Sequence, residues 1–249
     1  MFVSASTECF PELPLVDSIS RLRDLEFSAV VISIREDSEQ LKPSFVAENV
    51  ERAIAICRDT HRLNVAGYSL QFNSTGEELY REFEACCRLA KATKVASLTV
   101  PSAELGTPFN EEVEHLRRLV AIATSEGAKV SILTRIGRLS QDPDTVLVLC
   151  DNVKGLGTTL DPSHYICGPY AGRGYDQILK YVYHVELRDS TKDELQVRVG
   201  QGELEYSRLV NQLRRVGYKR AMAVNMTPIE GTDHNSEMRK FRLLLESLL

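Results

Sequence analysis

Eight short runs rich in β-branched and small residues recur along this chain, with helical patterns between them. The runs are FVSAS (2–6), SAVVISI (28–34), NVAGYSL (64–70), VASLTV (95–100), KVSILT (129–134), LGTTLD (156–161), YVYHVEL (181–187) and RAMAVNM (220–226). Apolar residues at three- and four-residue spacing predict helices over 46–63, 77–93, 111–127 and 205–217, among others. Gly127 and Gly217 stand where a helix needs its stop, directly before the fifth and eighth runs. Glu111 and Glu112 fall in a first helical turn, where the helix dipole favours acids. Strands that alternate with helices imply a parallel sheet. Eight of them over 249 residues, with no break in composition, imply an α/β chain forming a single (β/α)8 TIM barrel over 1–249. The alternative is an open, doubly wound sheet. Against it, no G-x-G-x-x-G follows the first run, and GLG at 155–157 precedes a strand rather than a helix.

Charge and cysteine usage narrow the partners. The net charge is −5, with no Lys/Arg-rich block. Nucleic-acid affinity depends on neutralising phosphates, so no nucleic-acid partner is expected. The six cysteines (Cys9, Cys57, Cys86, Cys87, Cys150, Cys167) form neither a CxxC pair nor a zinc-like spacing. Most lie in apolar contexts, where a free thiol behaves as a small hydrophobe, and a reducing cytoplasm is the expected setting. The opening MFVSASTECFPELP lacks the basic and apolar regions of a signal peptide, and no run approaches the length of a membrane span.

Parallel barrel strands are covered on both faces and normally read as continuous apolar runs. YVYHVELRDS departs from that rule. Tyr181, Tyr183, Val185 and Leu187 suit one face, while His184, Glu186 and Arg188 share the other. Ionisable groups on a buried face are costly unless paired or wetted, and a barrel tolerates them at its C-terminal mouth. The same alternation sends Leu133 and Arg135 inward from the fifth run, Thr159 and Asp161 from the sixth, and Asn225 from the eighth. Each has a plainer reading beside the functional one. His164, three residues past Asp161, can serve only its own loop; His184 lies one layer deeper and suits a satisfied interior position; Glu186 and Arg188 can be a structural pair.

Four stretches, ILTRIGRL (132–139), LDPSHY (160–165), YHVELRDS (183–190) and VGQGELEYSRLVNQLRRVGY (199–218), resemble the xylose isomerase-like TIM barrels of the sugar-phosphate isomerase/epimerase superfamily. The resemblance implies a divalent metal held by Glu, Asp, His and Glu at the ends of strands 5 to 8, with two carboxylates moving a proton between adjacent sugar carbons. At the matching positions this chain has Leu133, Asp161, Glu186 and Asn225. Only Asp161 is unchanged, with His164 at the family's Asp-x-x-His spacing. Moving the strand-7 ligand to His184 would set it two residues, about 6.6 Å, too deep. Arg135 and Arg188 bring two positive charges to the same mouth, so the expectation is a degenerate metal site and no cofactor.

Two readings follow from the resemblance. In the first, the barrel has lost the family chemistry and binds a small polar or anionic ligand, such as a sugar, sugar acid or phosphate, through Arg135, Asp161, His164, His184, Glu186, Arg188 and Asn225. The segment 190–203 would lie over the mouth, carrying Arg198. In the second, an active isomerase or epimerase uses Glu186 and His164 as acid and base, with Asp161, Glu186 and Asn225 holding Mn2+ or Mg2+ weakly. The apurinic-endonuclease branch of the same barrel needs more zinc-binding His residues than five scattered ones offer. A homo-oligomer is compatible with the resemblance, though no interface pattern is evident.

Overall fold

The β-branched runs do pair, each with its chain neighbours and the last with the first. In the computed structural model, which describes residues 1–249, the strands are β1 (Phe2–Ser6), β2 (Ala29–Arg35), β3 (Asn64–Gln71), β4 (Ser97–Pro101), β5 (Lys129–Leu133), β6 (Gly157–Leu160), β7 (Val182–Leu187) and β8 (Ala221–Val224). All neighbours are parallel and β8 closes on β1, giving a closed (β/α)8 barrel. The helices are α1 (Leu15–Asp24), α2 (Pro43–Glu48), α3 (Val50–Arg58), α4 (Gly76–Thr93), α5 (Phe109–Ser125), α6 (Pro143–Asn152), α7 (Ser163–Ile166), α8 (Tyr206–Arg215) and α9 (His234–Glu246). None is long and apolar enough to cross a membrane.

Two local departures have identifiable causes. The helix expected over 46–63 starts earlier, at Pro43, whose fixed φ suits a first helical position, and it breaks at Asn49 (φ −137°) into α2 and α3. The fourth strand begins at Ser97 because Lys94 adopts a left-handed φ of 60° and Val95 donates back to Ala90, so these residues close α4. Gly127 and Gly217 take the left-handed conformation required of them, with φ of 75° and 77°.

Each strand divides its side chains between two environments. Val130, Ile132, Leu160, Val185, Leu187 and Val224 join one apolar cluster with Leu116, Leu119, Leu209 and Phe241 from the helices. The lumen is polar in places where bulky aliphatics are the rule. Thr159 Oγ1 lies 2.7 Å from both Thr99 Oγ1 and Ser131 Oγ, linking β4, β5 and β6 through buried hydroxyls.

Candidate active-site mouth

Past the ends of β6, β7 and β8, the alternation carries polar side chains upward from the lumen. The β6–β7 register pairs Leu160 with Val185, so its continuation sets Asp161 beside Glu186. Asp161 is sealed from solvent, and its main chain is pinned to β5: Asp161 N–H donates to Thr134 Oγ1 (2.8 Å) and Thr134 Oγ1 donates to Asp161 O (3.1 Å). Each of its carboxylate oxygens accepts a hydrogen bond. Oδ1 accepts from Ser163 N–H at 3.0 Å, and Oδ2 accepts from Arg188 Nε at 3.0 Å. Burial opposes the charge on Arg188, but Asp161, Glu186 and Glu8 together hold it above its ordinary value.

His164 is buried, with Nε2 3.6 Å from Asp161 Oδ2 and Nδ1 accepting from Ile136 N–H at 3.3 Å. Both ring nitrogens therefore face protein groups, and burial pushes the imidazole toward its neutral form. Glu186 is buried too. Its Oε2 accepts from Asn225 Nδ2 at 2.7 Å, while Oε1 has no partner. Burial, reinforced by Glu8, pushes this carboxyl up to about 7. Glu186 and Arg188 are therefore not a hydrogen-bonded pair: Asn225 holds the first and Asp161 the second. His184 lies below, with Nε2 unpartnered, and burial pushes it down to about 4.

One acid escaped the sequence reading. Glu8 follows β1 in a short turn in which its N–H donates to Ser6 Oγ. Its Oε1 accepts from Ser33 Oγ (2.8 Å) and Arg35 Nη1 (3.2 Å), and Asn225 Nδ2 reaches Oε2 at 3.5 Å. Only part of the signal was available: Ser4 and Ser6 alternate on the first strand as Ser33 and Arg35 do on the second, but Glu8 lies past the strand in the turn.

Of the remaining candidates, Arg135 is half-buried and its side chain has neither a hydrogen-bond nor an ion-pair partner; its main-chain N–H donates to Ser140 Oγ. Burial, and then the nearby Arg138 and Arg35, push its pKa below the ordinary arginine value. Arg198 is exposed and reaches only Gly231 O, so no contact joins it to the cluster. The segment that carries it is a buttressed strap. Asp189 Oδ2 accepts from Gly200 N–H (2.7 Å) and Gly202 N–H (3.1 Å), Glu203 N–H donates to Ser190 O, and Gln196 Nε2 donates to Thr227 O. The glycine amides hold a carboxylate of the chain itself. A Cβ on Gly202 would lie 2.0 Å from Asp189 Oδ1. Gly202→Ala should therefore expel that carboxylate and lower stability by about 1–3 kcal/mol, as read by the urea unfolding midpoint.

Residues 19–242 match the model of the family described as xylose isomerase-like TIM barrel. The chain belongs to that family. Solved structures agree on the fold of this xylose isomerase-like barrel. A 3-keto-D-glucoside 4-epimerase from E. coli is 16% identical with TM-score 0.74, with 99% of each chain covered. A D-allulose 3-epimerase from Methylomonas sp. is 12% identical with TM-score 0.76, covering 100% of this chain and 98% of its own. A xylose isomerase domain protein from Planctomyces limnophilus is 15% identical with TM-score 0.72, covering 99% and 95%. The search of curated proteins gives no match.

The donor set of this xylose isomerase-like barrel fits a hard divalent ion poorly. Such an ion takes several anionic or neutral oxygens at once. Leu133 offers none, both Asp161 oxygens already accept from N–H donors, and Asn225 turns its amide nitrogen toward Glu186. No three His, Cys, Asp or Glu side chains gather around one point.

Proposed function

We propose that this barrel binds a small polar or anionic ligand, of sugar, sugar-acid or phosphate-like chemistry, at its C-terminal mouth without the family's metal-dependent isomerisation. The observation that carries the reading is the Arg188 guanidinium on Asp161, in a site where the carboxylate would otherwise face a cation. A fixed guanidinium supplies the positive charge and repels a second cation. Arg135, with no protein partner, is free to grip a carboxylate or phosphate through its planar fork. The test is metal content with thermal melting against Mn2+, Mg2+ and Zn2+. An ion at one hundred times its dissociation constant adds about 2.7 kcal/mol. The expected result is a metal-free protein with an unmoved melt; one ion per chain, or a rise that Asp161→Ala abolishes, overturns the reading.

One observation favours an active isomerase or epimerase with a rebuilt site. The Glu186 carboxyl, pushed up to about 7, is poised to take and return a proton. Ile136 N–H occupies His164 Nδ1, so that reading has only Nε2, 3.6 Å from Asp161 Oδ2, as its second acid–base group. Turnover of ketose or epimer substrates, lost in Glu186→Gln, would establish it.

A further inference from the structure

On the β1–β2 side of the mouth a cavity of about 270 Å³ is lined by Glu8, Ser33, Arg35, Asp37, Glu39 and Gln40, with Pro11 as its apolar contact. Ligand cavities are usually lined mostly by apolar side chains and run from roughly 300 to 1,000 Å³. This one is small, and all of its lining residues but Pro11 carry polar or charged side chains, which suits a compact, hydroxyl-rich ligand. Its charge is also lopsided, because three carboxylates face one guanidinium. A ligand anion would be repelled there, while a row of hydroxyl donors would be welcomed.

Glu8 is the acceptor best placed to read those donors. Its Oε1 is taken by Ser33 and Arg35, but Oε2 has only the 3.5 Å contact with Asn225, and a quarter of the side chain is exposed. Across the mouth stands Arg135, just past the end of β5, which lies opposite β1 in the closed eight-stranded order, and its side chain bonds to neither Glu8 nor Arg35. The mouth thus holds a free acceptor and a free cation that do not satisfy each other. Resting on the reading above, we infer that the ligand is a polyhydroxylated small anion, its hydroxyl end in the β1–β2 cavity on Glu8 Oε2 and its carboxylate or phosphate on Arg135. Glu8 is then the specificity-determining residue.

Calorimetric titration tests this with D-gluconate, D-galactonate, glucose 6-phosphate, fructose 6-phosphate, inorganic phosphate, acetate and D-glucose. At least one sugar anion should bind about tenfold or more tightly than phosphate, acetate or glucose. Whether carboxylates or phosphates lead identifies the anionic group. Glu8→Gln should erase that advantage and leave phosphate binding unchanged, whereas Arg135→Gln should weaken every anion. If sugar anions bind the wild type no better than phosphate, or Glu8→Gln keeps their advantage, the inference falls while anion binding at Arg135 stands. If no anion binds in an Arg135-dependent way, the reading beneath it falls as well. The wild-type comparison needs no variant, so the test survives a Glu8→Gln protein that does not fold.

Discussion

Asp161→Ala should lose about 3–5 kcal/mol of stability, and lose it equally with and without a chelator. Asp161 is fully buried, and the Arg188 side chain it neutralises is only 16% exposed. Removing one member of a buried ion pair leaves the other charge desolvated without compensation, which accounts for that magnitude. The substitution also frees the N–H of Ser163 and removes the oxygen facing His164. Arg188→Met should be costly by itself, because Asp161 then lacks its guanidinium. Combining the two removes both charges, so the double variant should be more stable than the sum of the single losses predicts. Urea unfolding midpoints of the four proteins measure the coupling. If Asp161 instead served a divalent ion, the chelated wild type would already lack the partner, and Asp161→Ala would change little in chelator. A loss seen only when metal is present would therefore contradict the Arg188 assignment.

Much of this was legible in the sequence because it depends on period and count. Eight runs with helices between them admit few closed arrangements, and the alternation in YVYHVELRDS marked Glu186 as facing away from the apolar side. What stayed hidden depends on register and rotamer. Glu186 and Arg188 lie two residues apart on one strand and read as natural partners. Yet a register shift between Thr158 and Thr159 governs how β6 meets β7, and Arg188 reaches across to Asp161 while Asn225 takes Glu186. No local spacing encodes that choice. Glu8 was missed for another reason: its strand is too short and too small-residued for one acid beyond its end to stand out. Its importance comes from Asn225, 217 residues away, whose amide lies between the two glutamates.

Glu186→Gln should stabilise the protein at pH 8 relative to its effect at pH 4.5, a difference of about 3 kcal/mol. The folded-state pKa of Glu186, about 7, lies above its ordinary 4.5 because burial and then Glu8 disfavour the anion. Such a group contributes stability that is fully present below pH 4.5 and is lost as pH rises through 7. A displacement of that size accounts for the magnitude. His184 acts with the opposite sign. Its pKa falls from 6.5 to about 4 through burial and then Arg220, so its contribution is present above pH 6.5 and lost as pH falls through 4. Between pH 4.5 and 6.5 the slopes of these two groups oppose each other and nearly cancel. Glutamine keeps the shape of Glu186 but cannot ionise, so the variant should uncover the His184 slope, its stability rising with pH across that window. His164, His115 and His234, also pushed toward neutrality, are common to both proteins and cancel in the difference. Melting temperatures of the two proteins from pH 4.5 to 8.5 give the comparison directly. Parallel curves would mean that Glu186 titrates at its ordinary value in the folded protein, and a fully buried carboxylate beside Glu8 does so only with a cation on its unpartnered oxygen. That result would return a bound cation to the mouth and count against the metal-free reading.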